Sequence, residues 1–182
     1  MRTLTPTDYF DAALDLLGEN GAEALTLAAL CDRVGVTKGS FYHHFDSMPA
    51  FHERVLAHFA TDALDAAVQH AMAVTNPRQR LAVLRHLGVA SAHETEVAVR
   101  AWATWYEPAA QAHRRIEQRR RGVLVTTFLE LGIAAPQAGV LARIGTALMM
   151  GMQSDGSRVD RAALDEVLTE YQRWIEASIP AT

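Results

Sequence analysis

The residues best suited to chemistry lie in one short stretch, Thr37-Lys38-Gly39-Ser40-Phe41-Tyr42-His43-His44. Hydroxyls, a lysine, a tyrosine and two histidines follow one another there, with no acid between Val34 and Phe45. Donors at that density suit phosphate oxygens and base edges rather than a reaction centre. Phe41 and Phe45 are four residues apart, so on a helix they share an inward face and leave Thr37, Lys38, Ser40, Tyr42, His43 and His44 outside. Gly39 permits close backbone approach to a phosphate, and a helix start itself attracts anions. Lys38 is the only lysine in the chain. Catalytic signatures are missing: the sequence has no G-x-G-x-x-G, phosphate-binding loop, G-x-S-x-G or H-E-x-x-H. Its eight histidines never fall three or four apart, so no helix offers a two-histidine metal face. Neither catalysis, a metal nor a cofactor is expected.

Helical periodicity runs through nearly the whole chain, and the fold class it predicts is all-α. Phe10, Leu14 and Leu17 share a face in a first helix from about Thr7 to Asn20, closed by Gly21. Thr26 caps a second helix in which Leu27, Leu30, Cys31 and Val34 recur at helical spacing. Gly35 breaks that helix and Thr37 caps the next, giving two short helices joined by a glycine turn, the helix-turn-helix layout. In such a unit the second helix enters the major groove. Ser47 opens a long helix to about Ala73, and Asn76-Pro77 is a cap followed by proline, a strong start signal. Further helices are expected over about 77–91, 93–106, 108–131, 136–153 and 160–178, with breaks at Pro108, Gly132 and Asp155-Gly156.

The stretch Ala22–Phe51 resembles the TetR family of bacterial transcriptional regulators. The features that carry the likeness are the glycine after the first helix, Thr-Leu opening the second, Gly-Val in the turn, and Lys-Gly-Ser-Phe-Tyr-His-His-Phe after it. The resemblance implies a homodimer on palindromic double-stranded operator DNA, usually as a repressor, released by a small-molecule effector in the C-terminal part. It places DNA contacts on Thr26, Lys38, Gly39, Ser40, Tyr42, His43 and His44, to which the polar face adds Thr37. The sequence departs from the family at Met48 and Ala28, where a lysine and a polar reader are common, and it has no basic N-terminal arm beyond Arg2. Fewer phosphate contacts imply a shallower salt dependence. Histidines titrate near neutrality, so operator affinity is expected to strengthen as pH falls toward 6. The implied domains are 1–46 for DNA binding and 47–182 for ligand binding and dimerisation.

In the C-terminal part, Arg100-Ala-Trp-Ala-Thr-Trp-Tyr106 places Trp102, Trp105 and Tyr106 at i, i+3 and i+4, so one helix face gathers three aromatics. With Arg100, and with Phe59, His86, Phe128 and Met149 from other helices, they form the candidate ligand pocket; plain core is the competing reading. The basic run Arg114, Arg115, Arg119, Arg120, Arg121 is read as a solvated face, or as one or two guanidinium groups holding a ligand carboxylate. Leu141, Ile144 and Leu148, together with Leu164, Leu168, Tyr171 and Ile175, are the candidate dimer interface, with intramolecular core as the alternative. Two other functions stay open: a helix-turn-helix protein of architectural role without a ligand, and a helical small-molecule binder without an operator.

The chain has 182 residues, 49% of them hydrophobic, and a formal charge of −4. An acidic balance argues against nucleic acid, yet its distribution matters more. Residues 1–50 hold three cations (Arg2, Arg33, Lys38) and seven acids, which account for the whole excess. Five of those acids, Asp8 to Glu23, precede the helix-turn-helix. The single cysteine, Cys31, lies on the apolar face between Leu27 and Val34 and reads as core. No apolar run nears the roughly 20 residues of a membrane span, and the N-terminus lacks a signal peptide's apolar core. A cytoplasmic location with no membrane partner is expected.

Overall fold

The computed structural model describes residues 4–154 and 158–179, without side chains at 62–64. It contains no strand among them and ten α-helices: α1 (Pro6–Asn20), α2 (Leu27–Val34), α3 (Lys38–His44), α4 (Met48–His58), α5 (Leu64–Met72), α6 (Pro77–Ala90), α7 (His93–Trp102), α8 (Glu107–Glu130), α9 (Ala135–Met152) and α10 (Arg161–Ala177). The helix starts follow their caps. The hydroxyls of Thr26, Thr37 and Ser47 accept from Ala29, Ser40 and Ala50 N–H at 3.2, 3.3 and 3.2 Å, and the Asn76 side chain accepts from Arg78 N–H at 2.9 Å. Each satisfies a backbone donor that the first turn leaves open.

Three expectations need correction. The helix drawn from Ser47 to Ala73 is α4 and α5 joined by a π-helical turn over Phe59–Ala63, where one extra residue shifts the hydrophobic register. Pro108 does not break a helix. It sits at the second position of α8, where a missing N–H costs nothing. The real interruption is earlier, because α7 ends at Trp102 and residues 103–105 form turns. Gly132 does close α8, with φ 84°, while the break at Asp155-Gly156 lies outside the described residues. No helix among the described residues is long and apolar enough to cross a membrane.

The chain packs as two compact units, Met1–Ala63 with Ala92–Arg114, and Leu64–Ser91 with Arg115–Thr182. This differs from a division at residue 46, because α4 and α7 pack with α1. In the first unit, Phe10, Phe41, Phe45 and Phe51 form an aromatic core. Phe45 stands 4.7 Å from Phe51 and 5.1 Å from Phe41 between ring centroids, within the range that favours edge contacts. Helix α7 comes close to α1 at Gly18, where a Cβ would lie 2.9 Å from the Thr95 hydroxyl oxygen. That hydroxyl donates to the Leu14 carbonyl at 3.3 Å. The second unit centres on Leu81, Phe128, Leu131, Ile133, Leu141, Tyr171 and Ile175. Arg80, 4% exposed, ties its helix to its neighbours by donating to the Val74 carbonyl at 2.9 Å and to Glu130 at 2.7 Å.

Candidate nucleic-acid interface

Helix α3 is held by its inward residues. Phe41 and Phe45 are buried as their spacing predicts. The buried Tyr9 of α1 brings its hydroxyl to 3.1 Å from the Ser40 hydroxyl, and its ring lies 5.4 Å from that of His44. Arg54 closes the other end. Its guanidinium lies over the Phe45 ring at 4.8 Å and donates to the His44 carbonyl at 3.3 Å, so a cation–π contact and a hydrogen bond fix one side chain. The turn into α3 uses Gly35 at φ 76°, ψ 40°, in the left-handed region, and its N–H and that of Val36 both donate to the Cys31 carbonyl at 2.9 Å. Cys31 is buried in this packing, and burial pushes its thiol up, which suits a core residue rather than a reactive one.

The outer face carries Thr37, Lys38, Gly39, Tyr42 and His43, all exposed, with Thr26 exposed at the start of α2. Ser40 and His44 are half-buried against Tyr9, so they belong to the margin of the face rather than its centre. Ala28 is exposed and Met48 half-buried. Arg33 is bound to Glu19 through both guanidinium nitrogens, and the bond from Arg33 holds the Glu19 carboxyl below the usual carboxylate range. That pairing neutralises one of the acids near the helix-turn-helix and leaves Lys38 as the cation on the outer face of α3. The geometry is that of a short helix with its polar N-terminal half free to meet a groove.

The residues expected to line a pocket divide between the units. Phe59, Arg100, Trp102, Trp105 and Tyr106 belong to the first, and His86, Phe128 and Met149 to the second. Trp102, Trp105 and Tyr106 do not share a helix face, since α7 stops at Trp102. Instead the chain turns back, and Tyr106 stacks on Trp102 at 4.9 Å and 13° while Trp105 stays 66% exposed. Against them lies His52 of α4, which sequence reasoning missed: its ring is 5.1 Å from Trp102 and 6.3 Å from Tyr106. A lone histidine 50 residues upstream gives no signal of that pairing. In the second unit Phe128 is fully enclosed in the core and His86 is exposed on α6. The arginines of α8 meet acids: Arg114 with Glu107, Arg119 with Asp65, Arg120 with Glu117. Arg121 instead donates to the Glu117 carbonyl at 3.2 Å, and Arg115 is exposed.

Most of the proposed dimer residues are also placed elsewhere. Leu141, Leu164, Leu168, Tyr171 and Ile175 are buried within the chain itself, so their surface is not available to a partner. The Tyr171 hydroxyl donates to the Leu141 carbonyl, and its ring fills the space beside Gly145. Ile144 and Leu148 are half-buried, and the apolar residues most exposed on these helices are Val140 and Trp174, at 55% and 52%.

The fold and the face together define a helix-turn-helix domain. Comparison with known proteins makes the class specific. Residues 10–55 match the family model of the bacterial regulatory proteins, tetR family. The chain is 38% identical over 56 residues to the HTH-type transcriptional repressor KstR2 of Rhodococcus jostii, covering 31% of this chain and 28% of that protein. It is 26% identical over 135 residues to the HTH-type transcriptional regulator BetI of Agrobacterium fabrum, covering 74% of this chain and 64% of that one. These matches thus span less than two thirds of either relative's length. A putative transcriptional regulator from Saccharomonospora viridis, solved in complex with choline, shares the fold with a TM-score of 0.77 at 14% identity, over 92% of this chain and 95% of that one. The likeness to the tetR family of regulatory proteins thus rests on residues 10–55, the segment that carries α2, α3 and most of α1 and α4.

Proposed function

We infer that the chain is a homodimeric repressor that occupies a palindromic operator through α3 and leaves it when a small molecule binds the helical part beyond the helix-turn-helix. The observation that carries the DNA reading is the exposed, acid-free face Thr37, Lys38, Gly39, Tyr42 and His43 on a helix locked from behind by Phe41, Phe45, Tyr9 and Arg54. Phosphate and base-edge contacts fall to Thr26, Lys38, Tyr42 and His43, and Gly39 allows the backbone near a phosphate. Ser40 and His44 contribute from the margin. Support for an effector comes from the aromatic group of His52, Trp102 and Tyr106, and from the choline held by the fold relative. Support for a dimer comes from the exposed apolar residues Val140 and Ala147 of α9, flanked by the half-buried Ile144 and Leu148, with Trp174 on α10. Two-fold packing of that face sets two α3 helices about 34–36 Å apart, one turn of DNA, or a multiple of it.

The test is fluorescence anisotropy with duplexes tiled across the DNA upstream of the gene, read at two salt concentrations and with choline as the first effector. One duplex binding well above a shuffled duplex, and released by an effector, supports the reading. Equal binding to all duplexes contradicts it.

A further inference from the structure

Two polar atoms buried in the first unit have no protein partner: Nε2 of His52 and Nε1 of Trp102. They belong to neighbouring rings, 5.1 Å between centroids and 82° between planes. Trp102 is 3% exposed, and a buried indole N–H is ordinarily bonded. The two atoms differ in kind. The indole nitrogen is a donor only. Burial holds the His52 imidazole below its ordinary range, against the pull of the Leu25 backbone on the ring, so the neutral form prevails at pH 7. In the tautomer that carries the proton on Nδ1, Nε2 is an acceptor. A buried donor and a buried acceptor on neighbouring rings can be satisfied together by a hydroxyl, because one oxygen accepts and its proton is donated.

We propose that His52 and Trp102 form the polar end of a binding site for a small molecule without negative charge that carries a hydroxyl on an apolar body. The hydroxyl oxygen accepts from Trp102 Nε1–H and its proton is shared with His52 Nε2. Tyr106, stacked on Trp102, and Trp105, 6.3 Å from it, supply the apolar wall. Charge disfavours an anion here. His52 brings no positive charge, and burial and then the Glu53 carboxylate push the Tyr106 hydroxyl up. The proposal rests on the reading that this part of the chain takes a small molecule, and it names the class of that molecule.

The test uses the full chain with three probes of one aromatic body: benzyl alcohol, which donates and accepts; benzyl methyl ether, which only accepts; and benzoate, which is charged. The readout is the Trp102 indole N–H resonance of 15N-labelled protein, assigned with Trp105→Phe and Trp174→Phe, with affinities from its titration. Benzyl alcohol should move that resonance and bind about tenfold or more tightly than the other two, since a site built for a hydroxyl rejects analogues lacking it. His52→Phe should erase the preference, and His52→Gln, which keeps an acceptor, should restore part of it. Equal binding of the three, tighter binding of benzoate, or a resonance that none of them moves (a bound water only) overturns the proposal. Operator release is measured on the same samples. An effector that frees the operator without touching the Trp102 signal overturns this site and leaves the effector reading standing. Benzyl alcohol bound at Trp102 with the operator still occupied supports the site and overturns its part in release.

Discussion

Lys38 is the residue on which the DNA account leans hardest, because Arg33 is already held by Glu19 and Arg54 by Phe45 and the His44 carbonyl. Lys38→Gln is expected to lower operator affinity about tenfold and reduce the slope of log affinity against log salt by about one unit, in anisotropy titrations at several salt concentrations. The single lysine was legible in the sequence as an isolated cation in an acid-free run. His52 was not, because its role depends on a ring contributed 50 residues later. Its sign under pH follows from burial. The unfolded chain takes up a proton on this imidazole below about pH 6.5, whereas the folded chain resists it. Stability therefore rises with pH through this window and falls as pH drops below it. Thermal melts from pH 7.5 to 5.5 should show a smaller loss for His52→Phe than for the parent protein.

At the scale of the element, two glycines make opposite demands. Gly35 lies at positive φ with nothing within 4 Å of where a Cβ would sit, so Gly35→Ala meets backbone strain alone, about 1 kcal/mol. Gly145→Ala puts its Cβ 2.9 Å from both Cε1 and the hydroxyl oxygen of Tyr171, whose ring is held by the Leu141 carbonyl. Denaturant unfolding should show the larger loss at Gly145, about 2 kcal/mol, because a tethered ring cannot yield. Helix starts at Thr26, Thr37, Ser47 and Asn76 were readable because a cap is a contact between near neighbours. The end of α7 was not. Nothing local stops a helix between Trp102 and Tyr106, and the turn there is set by the stacking of Tyr106 on Trp102 beside His52. The periodicity of α9 and α10 likewise revealed an apolar face without saying what covers it. The structure answers that Leu141, Tyr171 and Ile175 pack in one core with Leu81 and Phe128, and that Leu164 is buried within the chain as well.

At the scale of the molecule, the acidic charge and the DNA-binding fold are reconciled by position. The acids gather before the helix-turn-helix, Glu19 is paired, and α3 itself has none. The homodimer proposed above would use a different surface, the exposed apolar residues of α9 with Trp174 of α10. Val140→Glu combined with Trp174→Glu should give monomers by light scattering and weaken operator binding while leaving the helical signal intact, because both side chains are exposed in the single chain. The central claim, sequence-specific DNA binding through α3, is tested most directly by competition. The parent protein and Lys38→Gln are each bound to the upstream duplex and challenged with excess shuffled DNA. The account predicts that the parent complex survives and the Lys38→Gln complex is lost; a parent protein displaced as readily by shuffled DNA as by its own upstream sequence would contradict it.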